Sequence, residues 1–323
     1  MSFEHRSSER FKNLLEALNA LCEEVTFTVN PEGLTATQMD PSHYAMFNLK
    51  IPPSAFERWQ VVDEQKFAVS VTDLVKKHLK NTYKDESVEI SYDVDRARLN
   101  IVLKSDIVRE KNLPVLEPSD EEVPQPKIFF KAHARVLVKG LLKALKDFNE
   151  LGEHVTISVK DDVLSLRQQG DFGGQSTPFE KYSDNVLELK CEEDSATTYT
   201  TSYLSKMIKA LQPLSEVVNL DFSTDMPIKI WPELEVGSLE FYIAPCTGVG
   251  DEPVRTETEE KAYEEETTDV SMPEDIPEAT EPVTDEEPAP EPEPEPTPIP
   301  TPISTSAPAS ITIDMSVLRR LKL

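Results

Sequence analysis

Apolar residues recur along the chain in two distinct rhythms. Leu14, Leu15, Leu18 and Leu21 share one face at helical spacing, and Leu141, Leu142, Leu145 and Phe148 do the same further on. Other stretches alternate apolar and polar positions with the period of a half-buried strand: VTFTV at 25–29, SVEISYD at 87–93, VTISV at 155–159 and VVNLDFS at 217–223. The pattern predicts helices over 8–21, 72–83, 134–149 and 202–211, with strands between them. NPEG at 30–33 and KDD at 160–162 carry the chemistry of tight hairpin turns.

These segments repeat. VTFTV and VTISV are 130 residues apart, as are SVEISYD and VVNLDFS, and the same step takes Leu15 to Leu145, Leu74 to Leu204 and Lys76 to Lys206. An internal duplication explains a constant offset across helices and strands alike. Each half reads as helix, strands, helix, strands, so helices cover strand-rich layers and leave their polar faces on one side; the fold class is α+β. LPVLEPSDEEVPQP at 113–126, with four prolines and four acidic residues, reads as an exposed connection. The expected organisation is a first domain at 1–112, a connecting loop at 113–127 and a second domain at 128–246. A disordered acidic, Pro/Glu-rich tail at 247–310 and a short apolar and basic peptide at 311–323 complete it.

Composition narrows the class. Cys22, Cys191 and Cys246 are odd in number and far apart, which fits a reducing, intracellular compartment. No stretch is long and apolar enough to span a membrane. The net charge of −27 argues at first against nucleic acid. Yet 20 acidic and 5 basic residues lie from Asp251 onward, a net of −15, so more than half of the excess belongs to the tail.

Within the body the basic residues are organised. Lys76, Lys77, Lys80 and Lys84 fall within roughly one 100° sector of the second predicted helix, and Lys139, Lys143 and Lys146 within roughly 60° of the third. Lys206 and Lys209 are neighbours on the fourth; the first carries Arg10 and Lys12 against Glu9 and Glu16. A lone lysine stripe is usually a solvated face. Lysines concentrated on equivalent helices of a duplicated, acidic protein point instead to phosphate contacts without base readout, hence sequence-independent and salt-sensitive binding to double-stranded DNA.

FKNLLEALNAL, LTATQMDPSHYAMFNL and MPIKIWPELEVGSLEFYIAP resemble the sliding clamps of the proliferating cell nuclear antigen family, over about residues 5–246. The resemblance implies two clamp-type domains per subunit and a head-to-tail homotrimeric ring with helices inside and sheets outside. It also implies DNA polymerase, a clamp loader and other clamp-binding-peptide proteins as partners. By the same resemblance Met39, His43, Tyr44 and Met46 form one side of a partner-peptide pocket, Pro227, Tyr242, Ile243, Ala244 and Pro245 the other, and Val123 and Pro124 its lid. Subunits would pair edge strands near 106–112 and 179–184. Asn13 and Asn19 stand where the family often has lysines, and the tail is far longer than the family's acidic end.

Enzymatic chemistry finds no support in the sequence. There is no GxxxxGK phosphate loop, and His5, His43, His78, His133 and His154 lack metal-ligand spacing, so no catalytic residue, metal or cofactor is expected. Two alternatives stay open: a subunit of a heterotrimeric clamp, and an interaction scaffold that never encircles DNA. Residues 311–323 are a candidate tethered recognition peptide for a replication partner or for the clamp's own pocket. The location follows the source: cytoplasm and nucleoid if archaeal, nucleus if eukaryotic.

Overall fold

A computed structural model describes residues 1–119, 123, 126–170 and 173–246; the tail, the terminal peptide and Pro124 lie outside the described residues. The first half runs β1 (Ser2–His5), α1 (Ser8–Asn19), β2 (Glu24–Asn30), β3 (Gly33–Met39), β4 (Ala45–Ile51), β5 (Arg58–Gln60) and β6 (Gln65–Ser70). It continues through α2 (71–78), β7 (Ser87–Asp93), β8 (Arg98–Lys104) and β9 (Val108–Pro114). The second half runs β10 (Ala132–Leu137), α3 (Val138–Leu151), β11 (His154–Lys160), β12 (Val163–Gly170), β13 (Gly173–Glu180) and β14 (Val186–Cys191). β15 (Ser195–Thr200), α4 (Thr201–Leu211), β16 (Val217–Phe222), β17 (Ile228–Pro232) and β18 (Ser238–Ile243) complete it.

Every element of the first half has a counterpart whose start lies 130 residues later, to within two residues. The turn chemistry follows suit. Asn30 Oδ1 accepts from Glu32 N–H at 2.9 Å and Gly33 N–H at 3.1 Å. Asp161 and Asp162 both take positive φ, 50° and 62°, as a two-residue hairpin loop demands.

Three antiparallel sheets result, ordered β5-β1-β7-β8-β9, β14-β10-β16-β17-β18-β4-β3-β2-β6 and β13-β12-β11-β15. The central sheet is continuous across the two halves because β18 pairs with β4, Leu239 opposite Leu49 and Phe241 opposite Phe47. All four helices lie in one layer, with α1 touching α2 and α4, and α4 touching α3. Their apolar stripes are buried: Leu14, Leu15 and Leu18 on α1, Leu141, Leu145 and Phe148 on α3, Leu204, Met207 and Leu211 on α4.

Two helix boundaries differ from expectation. α3 begins at Val138, not at 134, because residues 132–137 alternate buried and part-exposed and pair on both sides, with β14 and β16. α2 stops at His78, not at 83. Its last turn widens, so that Leu79 N–H donates to Leu74 O, five residues back, at 2.8 Å. Side chains of β9 then take the carbonyls beyond: Lys111 Nζ donates to His78 O, and Arg109 Nη2 to Asn81 O at 2.9 Å. Lys80 and Lys84 therefore sit in the bend and turn after the helix.

Candidate nucleic-acid interface and partner groove

The outer surface of the helix layer carries Lys76 and Lys77 on α2, Lys139, Lys143 and Lys146 on α3, and Lys206 and Lys209 on α4, all exposed. Lys77 is paired with Asp73 at 2.8 Å; the other six have no ion pair among the described residues. Exposed ammonium groups without a carboxylate partner, on one side of a layer, make a local positive surface on an acidic protein. The first helix contributes less. Lys12 bonds Glu16 at 3.2 Å within its own helix, and Arg10 is tied to Glu235 of the second half at 2.8 Å. Lys80 and Lys84 remain exposed, but beyond α2 they no longer share its face.

The duplicated lysines Lys76 and Lys206 meet at the junction of the halves, on the wall of a cavity of about 610 Å³ that also touches Asn19, Asp40 and His43. Asp40 organises this corner. Its carboxylate accepts from the N–H groups of Ser42 (3.2 Å), Tyr44 (2.8 Å) and Ala45 (2.7 Å), from the Ser42 hydroxyl, and from Tyr203 Oη at 2.8 Å. Burial would raise its pKa, but these hydrogen bonds outweigh it and hold the carboxyl below its ordinary value. Cys22, on the same cavity, is pushed up to about 12 by burial, with the Asp40 charge adding to it, so its thiol stays protonated and unreactive. Nothing in its sequence context singles out Tyr203; its partner is 163 residues away, and only the fold joins them.

The residues assigned to the partner pocket divide into groups. Met39, Met46 and Tyr242 are consecutive cross-strand partners on β3, β4 and β18, forming one strip on a single sheet face. Met39 also lines a cavity of about 240 Å³ under the connecting loop with Val123, whose other walls include Thr26, Thr28 and Thr37. That groove is more polar than the apolar one expected. Leu116 N–H bonds Ala68 O at 2.7 Å and Ser119 N–H bonds Thr26 Oγ1 at 3.1 Å, which fixes the loop over β2 and β6. Ile243 does not belong to the groove: strand alternation turns it to the opposite face, where it is fully buried opposite Ala45 and Ile228. Tyr44 turns away as well. Its ring lies 5.3 Å from that of Tyr203 and its hydroxyl 2.9 Å from Cys246 Sγ. His43 is exposed in a left-handed turn, φ 56°, and faces the larger cavity. Pro227, Ala244 and Pro245 are half-buried at the end of the β17–β18 hairpin.

The family models for the N-terminal and C-terminal domains of proliferating cell nuclear antigen match residues 3–114 and 126–246, one model on each half of the duplication. The chain belongs to the proliferating cell nuclear antigen family. Among its relatives, the DNA polymerase sliding clamp of Thermofilum pendens is 29% identical over 246 residues, 76% of this chain and 98% of that protein. The sliding clamp of Nitrosopumilus maritimus is 29% identical over 239 residues, 74% of this chain and 95% of that one. The crystal structure of the Thermococcus kodakaraensis antigen superposes with a TM-score of 0.72 at 21% identity, over 76% of this chain and 99% of that chain. A chain of the PCNA2–PCNA3 complex of Sulfolobus tokodaii gives 0.69 at 23%, over 76% and 99%. These likenesses stop short of the tail, which sets this family member apart in length.

Proposed function

We propose that this chain is a DNA sliding clamp: a ring of three copies that encircles duplex DNA and tethers DNA polymerase and other replication and repair proteins, with no reaction of its own. The observation that carries this reading is the exposed, largely unpaired lysine surface on one layer of four helices. Lysine contacts to phosphate are hydrated and carry no base readout, so they hold a duplex while letting it slide. Assembly follows from the topology. β18 and β4 pair within the chain, whereas their duplicates β9 and β13 are free edges of their sheets. β9 of one copy meeting β13 of the next repeats the internal contact head to tail, and three copies of two domains close the ring. The free edges are Val108–Pro114 and Gly173–Glu180, so the segments expected near 106–112 and 179–184 are displaced; Lys181 to Asp184 form a turn.

The strip Met39–Met46–Tyr242 with Val123 above it takes a partner's short hydrophobic and aromatic anchors, and a clamp loader opens the ring at DNA. A clamp acts inside the cell, on the DNA being copied. The test is retention after loading on circular and on linear duplex. A clamp stays on the circle and slides off free ends; equal retention on both would reject encirclement in favour of a scaffold.

A further inference from the structure

The free edges can be compared, residue by residue, with the seam that the chain already contains. In the β4–β18 seam, Ala244 N–H donates to Tyr44 O at 2.9 Å. Hydrogen-bonded pairs alternate along an antiparallel ladder, so the mutually bonded pairs are Tyr44 with Ala244, Met46 with Tyr242, Asn48 with Glu240 and Lys50 with Ser238. None of these eight residues is proline.

The same parity holds at the open edges. Lys181 N–H donates to Asp162 O at 3.1 Å, which fixes the β12–β13 ladder so that Gly174, Ser176, Pro178 and Glu180 direct their backbone polar groups outward. Val115 N–H donates to Ala97 O at 2.9 Å, which does the same for Val108, Glu110, Asn112 and Pro114 on β9. Shifting the internal seam by the 130-residue repeat then pairs Gly174 with Pro114, Ser176 with Asn112, Pro178 with Glu110 and Glu180 with Val108. Pro114 and Pro178 have no N–H, and both stand at outward positions.

The intervening row changes character too. In the internal seam it is Leu49 with Leu239, Phe47 with Phe241 and Ala45 with Ile243, all buried. Shifted by the repeat it becomes Phe179 with Arg109, Thr177 with Lys111 and Gln175 with Leu113. Arg109 and Lys111 are also committed within their own subunit: Arg109 to the fully buried Glu86 and to Asn81 O, Lys111 to His78 O.

We infer that copies of this chain join β9 to β13 in this register through a seam lacking two backbone donors and the apolar row of its covalent twin. The subunit junction is thus the built-in opening point of the ring. The inference rests on the ring reading above and adds to it where, and why there, the ring gives way. Exposed apolar side chains flank both edges, Ile107 at 70% and Val108 at 59% on one, Tyr182 at 91% on the other, and a second copy would cover them.

Disulfide trapping tests the register in the full chain with Cys191→Ser. Partners in a bonded pair are about 5.5 Å apart at Cα, within reach of a disulfide, whereas a two-residue slip separates them by more than about 7 Å. Asn112→Cys with Ser176→Cys should oxidise to a covalently closed trimer, while Asn112→Cys with Gly174→Cys or Pro178→Cys should not. Cross-linking of a slipped pair alone overturns the register. A three-chain mass by light scattering with no cross-link in any pair overturns the seam while leaving the ring; a one-chain mass for the unaltered protein removes the ring itself. The weakness is read separately, by subunit exchange between trimers labelled on Cys191. Pro178→Thr and Pro114→Thr should each slow exchange about fivefold, the worth of one net backbone hydrogen bond. Exchange as fast as in the parent would overturn the missing-donor account.

Discussion

The Tyr203 hydroxyl donates to Asp40 Oδ2 at 2.8 Å, joining helix α4 of the second half to the turn of the first half that carries Met39 and His43. One hydrogen bond thus links the lysine-bearing layer to the start of the partner groove. Because Asp40 keeps four other donors, Tyr203→Phe should fold and lose about 1–2 kcal/mol in urea unfolding. The loss should be coupled to Asp40: in a double-mutant cycle with Asp40→Asn, additive effects would show that the two do not interact.

Asp40 and Asp221 make stability depend on acid. Burial acts to raise both, but Asp40 is held down by Ser42, Ala45 N–H and Tyr203, and Asp221 by His133, Trp231 and Lys229. Folded pKa values below the unfolded ones give stability that is complete above the ordinary Asp value of about 3.9 and is lost as pH falls through the folded values. The urea midpoint should therefore hold from neutrality to about pH 5 and decline below about pH 4. Asp221→Asn should lower the midpoint at pH 7 and flatten that decline; an unchanged acid slope would remove Asp221 as a contributor.

Unpaired lysines should matter to DNA more than paired ones. Replacing Lys143 and Lys206 with alanine should reduce the salt slope of duplex binding by about 1 for each phosphate no longer neutralised. Lys12→Ala, whose ammonium is engaged with Glu16, should leave it nearly unchanged. Titrations on a short duplex at several salt concentrations separate the cases, and equal effects of all three substitutions would contradict the division.

Two neighbouring apolar positions should behave oppositely. Met39 is half-exposed at the groove, so Met39→Ala should weaken capture of a peptide with hydrophobic and aromatic anchors while changing stability little. Ile243 is fully buried, and Ile243→Ala should cost about 2–5 kcal/mol of stability. Peptide titration beside urea unfolding reads both; a peptide defect from Met39→Ala no larger than its stability loss would take Met39 out of the groove.

The duplication, the hairpin turns and most strands were legible in the chain itself, because their signals are local. VTFTV and VTISV alternate with period two wherever they sit, and the 130-residue offset survives in every element. The lysine stripes of α3 and α4 were legible for the same reason. Residues 132–137 were not: AHARVL contains good helix formers, and only the two flanking strands, β14 and β16, make it a strand. Lys80 and Lys84 left the α2 face because Arg109 and Lys111, from a strand about 30 residues later, take the carbonyls at the helix end. Tertiary structure alone decided which edges are spent inside the chain and which remain open, and which way Tyr44 and Ile243 point. Local periodicity sets what each segment becomes, whereas the pairing of β18 with β4 brings together residues nearly 200 positions apart, and no local pattern encodes that contact.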